Sequence, residues 1–142
     1  LRRQGKVRTI GVSNFPRALL RQALDITGDL TANQMEYHPY LDQRPLLTLM
    51  RERGLVLIAH SPLARGAVLN DPVLRKIAGE RGLSVAQVAL RWLVQQERVV
   101  AIPGALNVEQ LRQNLKVLEL TLTTSEMDAI SALAHSIVKP IA

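Results

Sequence analysis

The sequence predicts a parallel α/β fold. Three observations carry this. Four apolar runs of strand length occur, at residues 7–12, 31–35, 55–59 and 99–102. Each ends in a short polar cluster, and each cluster leads into a helical pattern. Such alternation argues for a parallel sheet with helical crossovers. A doubly wound sheet and an eight-stranded barrel both satisfy the pattern. The first run ends Gly11-Val12-Ser13-Asn14, not G-x-G-x-x-G, and no Walker motif occurs. That favours the barrel. In either fold, ligands meet the carboxyl ends of the strands. Four units do not close a barrel, so the site is expected to be incomplete.

The elements follow in order. Leu1-Arg2-Arg3-Gln4-Gly5 reads as the last turn of a helix, with Gly5 as its C-cap and basic residues suiting the dipole. The chain is therefore expected to be a piece of a longer protein. After the first strand, a helix over 16–26 starts with Pro16 at its first position. Leu19, Leu20, Ala23 and Leu24 form its apolar face. The second helix, 45–53, turns Leu46, Leu49 and Met50 inward and ends at Gly54. The third strand is continuously apolar, as expected when both faces are buried.

An irregular stretch over 63–69 follows. Asn70-Asp71-Pro72 then supplies a cap and a proline start for a helix to Arg81, which Gly82 stops. Ser84 and Gln87 form a capping box, opening a helix with Val85, Val88, Ala89, Trp92 and Leu93 at helical spacing. After the fourth strand, Asn107 caps a helix with Leu111, Leu115 and Leu118 on one face. Thr123 and Glu126 cap a final helix carrying Met127, Ile130 and Leu133. Lys139-Pro140-Ile141-Ala142 carries no stop signal. No low-complexity tract or sequence repeat occurs.

Size and composition fit one globular domain, residues 1–142. The chain is 47% hydrophobic, with a mean hydropathy of +0.07. No apolar run reaches the roughly 20 residues of a membrane helix, and Arg2 and Arg3 oppose a secretory leader. Cysteine is absent, which excludes disulfides, thiolate metal sites and cysteine nucleophiles. The expected location is the cytoplasm. Net charge is +6, but the basic residues are dispersed and aromatics are 3% of the chain. Nucleic-acid binding needs a concentrated patch with interleaved aromatics, so neither a nucleic-acid nor a membrane partner is expected. The charge suits an anionic nucleotide or an acidic substrate. His38, His60 and His135 are too scattered for a metal motif.

The polar clusters hold the candidate chemistry. Ser13 and Asn14 fit a ligand contact or a helix cap. Asn33 and Gln34 are amides on a short strand, where one faces the helix layer and the other the opposite side. They suit a structural network or ligand binding. Glu36 and His38 suit acid–base work or a loop ion pair, and the ion pair is preferred. His60 suits a base, a stacking surface or a structural role. The stretch after Leu63, with Gly66, suits a phosphate wrapped by backbone N–H groups. Pro103-Gly104-Ala105 before Asn107 leaves a helix N-terminus at a strand end, a natural anion site.

Taken together, these segments resemble the aldo-keto reductase family. The matching stretches are Ile10-Gly11-Val12-Ser13-Asn14-Phe15, Asn33-Gln34-Met35-Glu36-Tyr37-His38-Pro39, Ser61-Pro62-Leu63-Ala64-Arg65-Gly66 and Ile102-Pro103-Gly104-Ala105 leading to Gln113-Asn114-Leu115. The nearest look is to the bacterial branch with the 2,5-diketo-D-gluconate reductases. The resemblance implies the carboxyl half of a (β/α)8 TIM barrel, strands five to eight with their helices. It implies an oxidoreductase that uses NADPH, with NADH possible, to reduce small aldehydes and ketones, from a monomeric parent.

By the same resemblance, Ser13, Asn14 and Gln34 hold the nicotinamide carboxamide. His60 stands where the family usually has a stacking aromatic. Ser61, Leu63 and Gly66 line the pyrophosphate. Pro103, Gly104, Ala105, Gln110, Gln113 and Asn114 cradle the adenosine end. Many members have lysine at the position of Gly104 and arginine at that of Gln110, so the 2′-phosphate clamp is absent here. The resemblance places the catalytic Asp, Tyr, Lys and His outside this chain. Tyr37, Tyr40 and His38 match cofactor motifs, and the isolated chain is expected to be inactive.

Overall fold

The computed structural model describes residues 1–136. Lys139 to Ala142, read as lacking a stop signal, lie outside the described residues. Four strands form one parallel sheet in sequence order: β1 (Ile10–Ser13), β2 (Leu30–Glu36), β3 (Val56–His60) and β4 (Val99–Ala101). Helix α1 (Arg17–Ile26) links β1 to β2, and α2 (Arg44–Glu52) links β2 to β3. Helices α3 (Pro72–Arg81) and α4 (Val85–Val94) lie between β3 and β4, and α5 (Val108–Leu115), α6 (Thr124–Ser131) and α7 (Leu133–Ser136) follow.

The expected fold class needs correction. The described residues form an open four-stranded sheet in the order β1-β2-β3-β4, with β1 and β4 as its edges. They are not placed as strands five to eight of a barrel.

The pleat sorts the strand residues. Val12, Asn33, Leu57 and Val99 stand side by side across the sheet. Asn33 and Leu57 are fully buried, and the hydrophobic members join the core with α1, α2, α3 and α4. The next row, Ser13, Gln34, Ile58 and Val100, belongs to the opposite face. It is only half-buried or exposed, with Val100 at 48%. Val56 and Ile58 are half-buried, so β3 is fully buried on one face only, contrary to the reading of its apolar run.

Several boundaries moved for local reasons. β1 begins at Ile10 rather than Val7 because its partner, β2, starts at Leu30, opposite Ile10. A Cβ on Gly11 would sit 2.9 Å from the Ala32 carbonyl oxygen, so this close strand approach requires glycine. Leu55 leaves β3 because its N–H donates to the Met50 carbonyl. Pro16 is the N-cap of α1, not its first helical residue, with extended backbone. On α1, Leu20 and Leu24 are buried but Leu19 is exposed.

The capping predictions have direct counterparts. Ser84 and Gln87, and Thr123 and Glu126, form reciprocal boxes. Asp71 accepts from the N–H groups of Val73 and Leu74, and Asn107 accepts from Gln110. The stretch read as irregular holds 3-10 turns over Ala64–Asn70, broken by non-helical backbone at Arg65 and Gly66. The final helix breaks at Ala132 into α6 and α7. Leu111, Leu115 and Leu118 share a face, as expected, but that face is exposed, at 50%, 56% and 65%.

Candidate cofactor-binding rim

The residues after β1 and β3 are locked by unusual backbone. Asn14 has φ 57° and Ser61 has φ 50°, both in the left-handed region. Asparagine tolerates that region; serine carries more of the penalty, of order 1–2 kcal/mol. Such turns end a strand abruptly and hold the following side chain at the rim.

Ser13, Asn14, Gln34, His60 and Ser61 form one connected group. Ser13 stands opposite Gln34 in register, and its hydroxyl donates to the Gln34 carbonyl at 3.4 Å. The Asn14 N–H donates to the same carbonyl at 2.7 Å. His60 ends β3 opposite Glu36. Its Nε2 lies 3.1 Å from Asn14 Oδ1, and its Nδ1 lies 3.2 Å from Ser61 Oγ. The tip of β3 thus reaches the tip of β1 across β2. The Gln34 side chain makes no hydrogen bond among the described residues, nor does Asn14 Nδ2.

Asn33 and Gln34 separate cleanly. Asn33 is buried on the helix side, where Nδ2 donates to the Phe15 carbonyl at 2.8 Å and Oδ1 accepts from the Phe15 N–H at 3.4 Å. It is a structural amide. Gln34, one residue on, lies on the opposite face.

The segment after β3 is partly engaged with itself. Ala64, Arg65 and Gly66 have φ 48°, 53° and 94°. Three successive left-handed residues make a tight reversal in which only Gly66 is free of a Cβ penalty. The Ala64 N–H donates to the Ser61 carbonyl and the Gly66 N–H to the Leu63 carbonyl. Those two donors, expected to wrap a phosphate, already have partners. Leu63 packs against the core. Arg65 is exposed here; sequence reasoning passed over it, because neither alanine nor arginine signals a left-handed turn.

Beyond β4, Ile102 donates its N–H to the Ala59 carbonyl, keeping Pro103, Gly104 and Ala105 at the same rim. Asn114 Nδ2 approaches the Gly104 carbonyl at 3.5 Å. The other two candidates are committed elsewhere. Gln110 Oε1 accepts from the Leu106 N–H at 2.7 Å. Gln113 Oε1 accepts from Gln87 at 3.0 Å, and its Nε2 donates to Glu109 at 2.6 Å. Helix α5 therefore starts with part of its N-terminus capped by its own side chains.

The tyrosines and His38 are buttresses. Tyr37 donates to Gln96 at 2.9 Å and packs on Trp92 with ring centroids 5.2 Å apart. Tyr40 donates to Asp71 at 3.0 Å. Burial first, aided for Tyr40 by the Asp71 carboxylate, pushes both phenols up to about 12. His38 lies 3.3 Å from Glu36 and accepts from the Tyr40 N–H. Its burial lowers its pKa below the usual histidine range, so the preferred loop pair is a hydrogen bond more than an ion pair.

A cleft of about 390 Å³ lies away from the rim, lined in part by Tyr37, Arg44, Trp92 and Gln96. Asp42 and Arg44 close on each other there at 2.9 and 2.7 Å. No group of metal-ligating side chains occurs among the described residues. No helix among them is long and apolar enough to cross a membrane.

Comparison with known proteins places the chain in a family. The Aldo/keto reductase family matches residues 1–135. Aldo/keto reductase slr0942 of Synechocystis is 42% identical over 137 residues, covering 87% of this chain and 42% of that protein. A solved chain assigned as 2,5-diketo-D-gluconic acid reductase B is 40% identical, with a TM-score of 0.90, over 99% of this chain and 51% of that one. A variant of Gox0644 solved with NADPH is 35% identical, with a TM-score of 0.87, over 94% of this chain and 49% of that one. This chain thus spans about half the length of the proteins it matches. The matched residues include β1 to β4.

Proposed function

From the premise that this chain belongs to the aldo/keto reductase family, we propose that its rim is the nicotinamide-nucleotide surface of a carbonyl-reducing oxidoreductase. One observation carries the reading. Ser13, Asn14, Gln34 and His60 come from three strands yet meet at a single edge. The donor set suits the ligand. A ring carboxamide needs a donor and an acceptor side by side, and Gln34 offers both from an unpaired side chain. Asn14 Nδ2 adds a second donor.

When bound, the nucleotide supplies hydride to a carbonyl carbon. Ser13, Asn14 and Gln34 would hold its amide and so select the ring face. Ser61, Leu63 and Gly66 would lie along the pyrophosphate, with the exposed Arg65 nearby. Pro103, Gly104, Ala105, Gln110, Gln113 and Asn114 would border the adenosine end. NADPH is the proposed cofactor, supported by its presence in the Gox0644 complex. NADH is the alternative, because no basic side chain stands at Gly104 or Gln110. The proposed substrates are small aldehydes and ketones, the diketo-gluconate class among them, and the setting is the cytoplasm.

The chain's own part is binding and orientation. A carbonyl reduction also needs a proton donor, and none of the rim amides or hydroxyls serves near neutral pH. Tyr37 and Tyr40 are hydrogen-bonded and held near 12. A nucleotide-binding element without turnover is therefore the second reading for the isolated chain.

Titration of the pure chain with NADPH, followed by nucleotide fluorescence, tests the reading. Saturable binding that weakens severalfold in Gln34→Ala is expected. Absence of saturable binding by the wild-type chain overturns it.

A further inference from the structure

Resting on the cofactor reading above, we propose that His60 is a positioning residue that orients the Asn14 carboxamide through a hydrogen bond, in place of the ring-stacking role that its position suggests. The geometry gives a directed chain. If Asn14 Oδ1 is the atom facing His60 Nε2, at 3.1 Å, that nitrogen must carry the proton, because an amide oxygen can only accept. In the neutral imidazole, Nδ1 is then an acceptor, and it lies 3.2 Å from the Ser61 hydroxyl. The sequence of donors runs Ser61 O–H to His60 Nδ1, then His60 Nε2–H to Asn14 Oδ1. Both Asn14 Nδ2 protons remain free for an acceptor oxygen of a ligand, such as an amide carbonyl.

The backbone gives this chain a purpose. Asn14 and Ser61 are the two left-handed residues just past β1 and β3, 47 positions apart in sequence (61 − 14). Neither touches the other through an adjacent strand, since β2 lies between. His60 is the link between them. Backbone in the left-handed region persists where surrounding contacts hold it. The imidazole does so for Asn14 and is itself held by Ser61. An imidazole offers a stacking ligand less area than a phenol or indole ring, and the edge of His60 is already committed to two partners, at 3.1 and 3.2 Å.

Two measurements test the assignment. Imidazole nitrogen shifts of the labelled wild-type chain, with His60 neutral, report its tautomer. The Nε2–H form is expected; a dominant Nδ1–H form reverses the donor chain and overturns the proposal. Second, NADPH binding is compared for His60→Gln and His60→Phe. Glutamine places an N–H donor near the position of Nε2, whereas phenylalanine keeps a ring but no donor. His60→Gln is expected within about twofold of wild type. His60→Phe is expected to bind about three- to tenfold more weakly, the scale of one oriented hydrogen bond. Tighter binding by His60→Phe with weaker binding by His60→Gln establishes stacking and refutes the clamp. If the wild-type chain binds no NADPH, the cofactor reading falls, and the tautomer still decides the His60–Asn14 link.

Discussion

Asn33 grips Phe15 by both backbone polar groups, donating to its carbonyl at 2.8 Å and accepting from its N–H at 3.4 Å. A fully buried β2 side chain thereby pairs both backbone groups of the turn after β1. That turn carries Ser13 and Asn14, so a structural amide on the helix side sets the height of the rim on the other. Asn33→Ala should cost about 2–3 kcal/mol, since it removes two bonds and leaves both Phe15 groups short of partners. Urea unfolding measures this. A loss below about 0.5 kcal/mol would show that the turn holds without Asn33.

The two tyrosines give a clean alkaline signature. Their folded pKa values, about 12, lie above the ordinary 10. The stability this represents is fully present below pH 10 and is lost as pH rises from 10 through 12. The sequence has only these two tyrosines. Native chain should therefore show almost no phenolate absorbance at pH 10, with absorbance appearing at higher pH together with loss of helix signal. Ordinary titration of one tyrosine before any unfolding would contradict the burial of that ring.

Acid stability should depend on Arg44. Its guanidinium holds the Asp42 carboxyl down at about 2 by paired hydrogen bonds. A depressed carboxylate contributes above its unfolded pKa near 4, and the contribution fades as pH falls through about 2. Arg44→Gln should move the acid unfolding midpoint upward, more at low salt than at high salt. The pair is partly exposed, so the shift is small. An identical midpoint at both salt concentrations would remove the pair from the stability argument.

The β4 edge should make the chain self-associate. Val100, Ile102, Leu111, Leu115 and Leu118 are all exposed there, beside a strand edge unpaired among the described residues. Sedimentation should show weight-average mass rising with concentration, reduced in a Leu115→Lys, Leu118→Lys double variant. A monomer at every concentration would contradict this.

Cofactor preference should respond at Gln110. Gln110→Arg adds a guanidinium at the proposed adenosine end while giving up the bond to the Leu106 N–H. NADPH binding should improve over NADH severalfold, with helix α5 weakened by about 1 kcal/mol or less. An unchanged ratio would remove Gln110 from the adenosine end.

Much of this molecule is written in local chemistry. The four apolar runs became four strands, and Ser84 with Gln87, Thr123 with Glu126, Asn107 and Asp71 all cap as their spacing requires. A cap involves residues within one turn, so its energetics are complete in the sequence. The strand-end clusters likewise marked the rim, because a parallel strand ends where apolar residues give way to polar ones.

What the tertiary structure decided depends on partners far apart in sequence. The pleat alternates sides, but only pairing with β1 and β3 shows that Asn33 goes to the helices and Gln34 to the open face. Gln113 looked available until Gln87, 26 positions earlier, proved to hold it. Leu111, Leu115 and Leu118 read as one apolar face, and that face is exposed among the described residues, because periodicity reports amphipathicity and not what lies opposite. The left-handed turn at Ala64 and Arg65 and the reach of His60 to Asn14 have no local signal at all. They arise where strands from separate parts of the chain are brought side by side, and burial and register, not residue identity, choose the conformation.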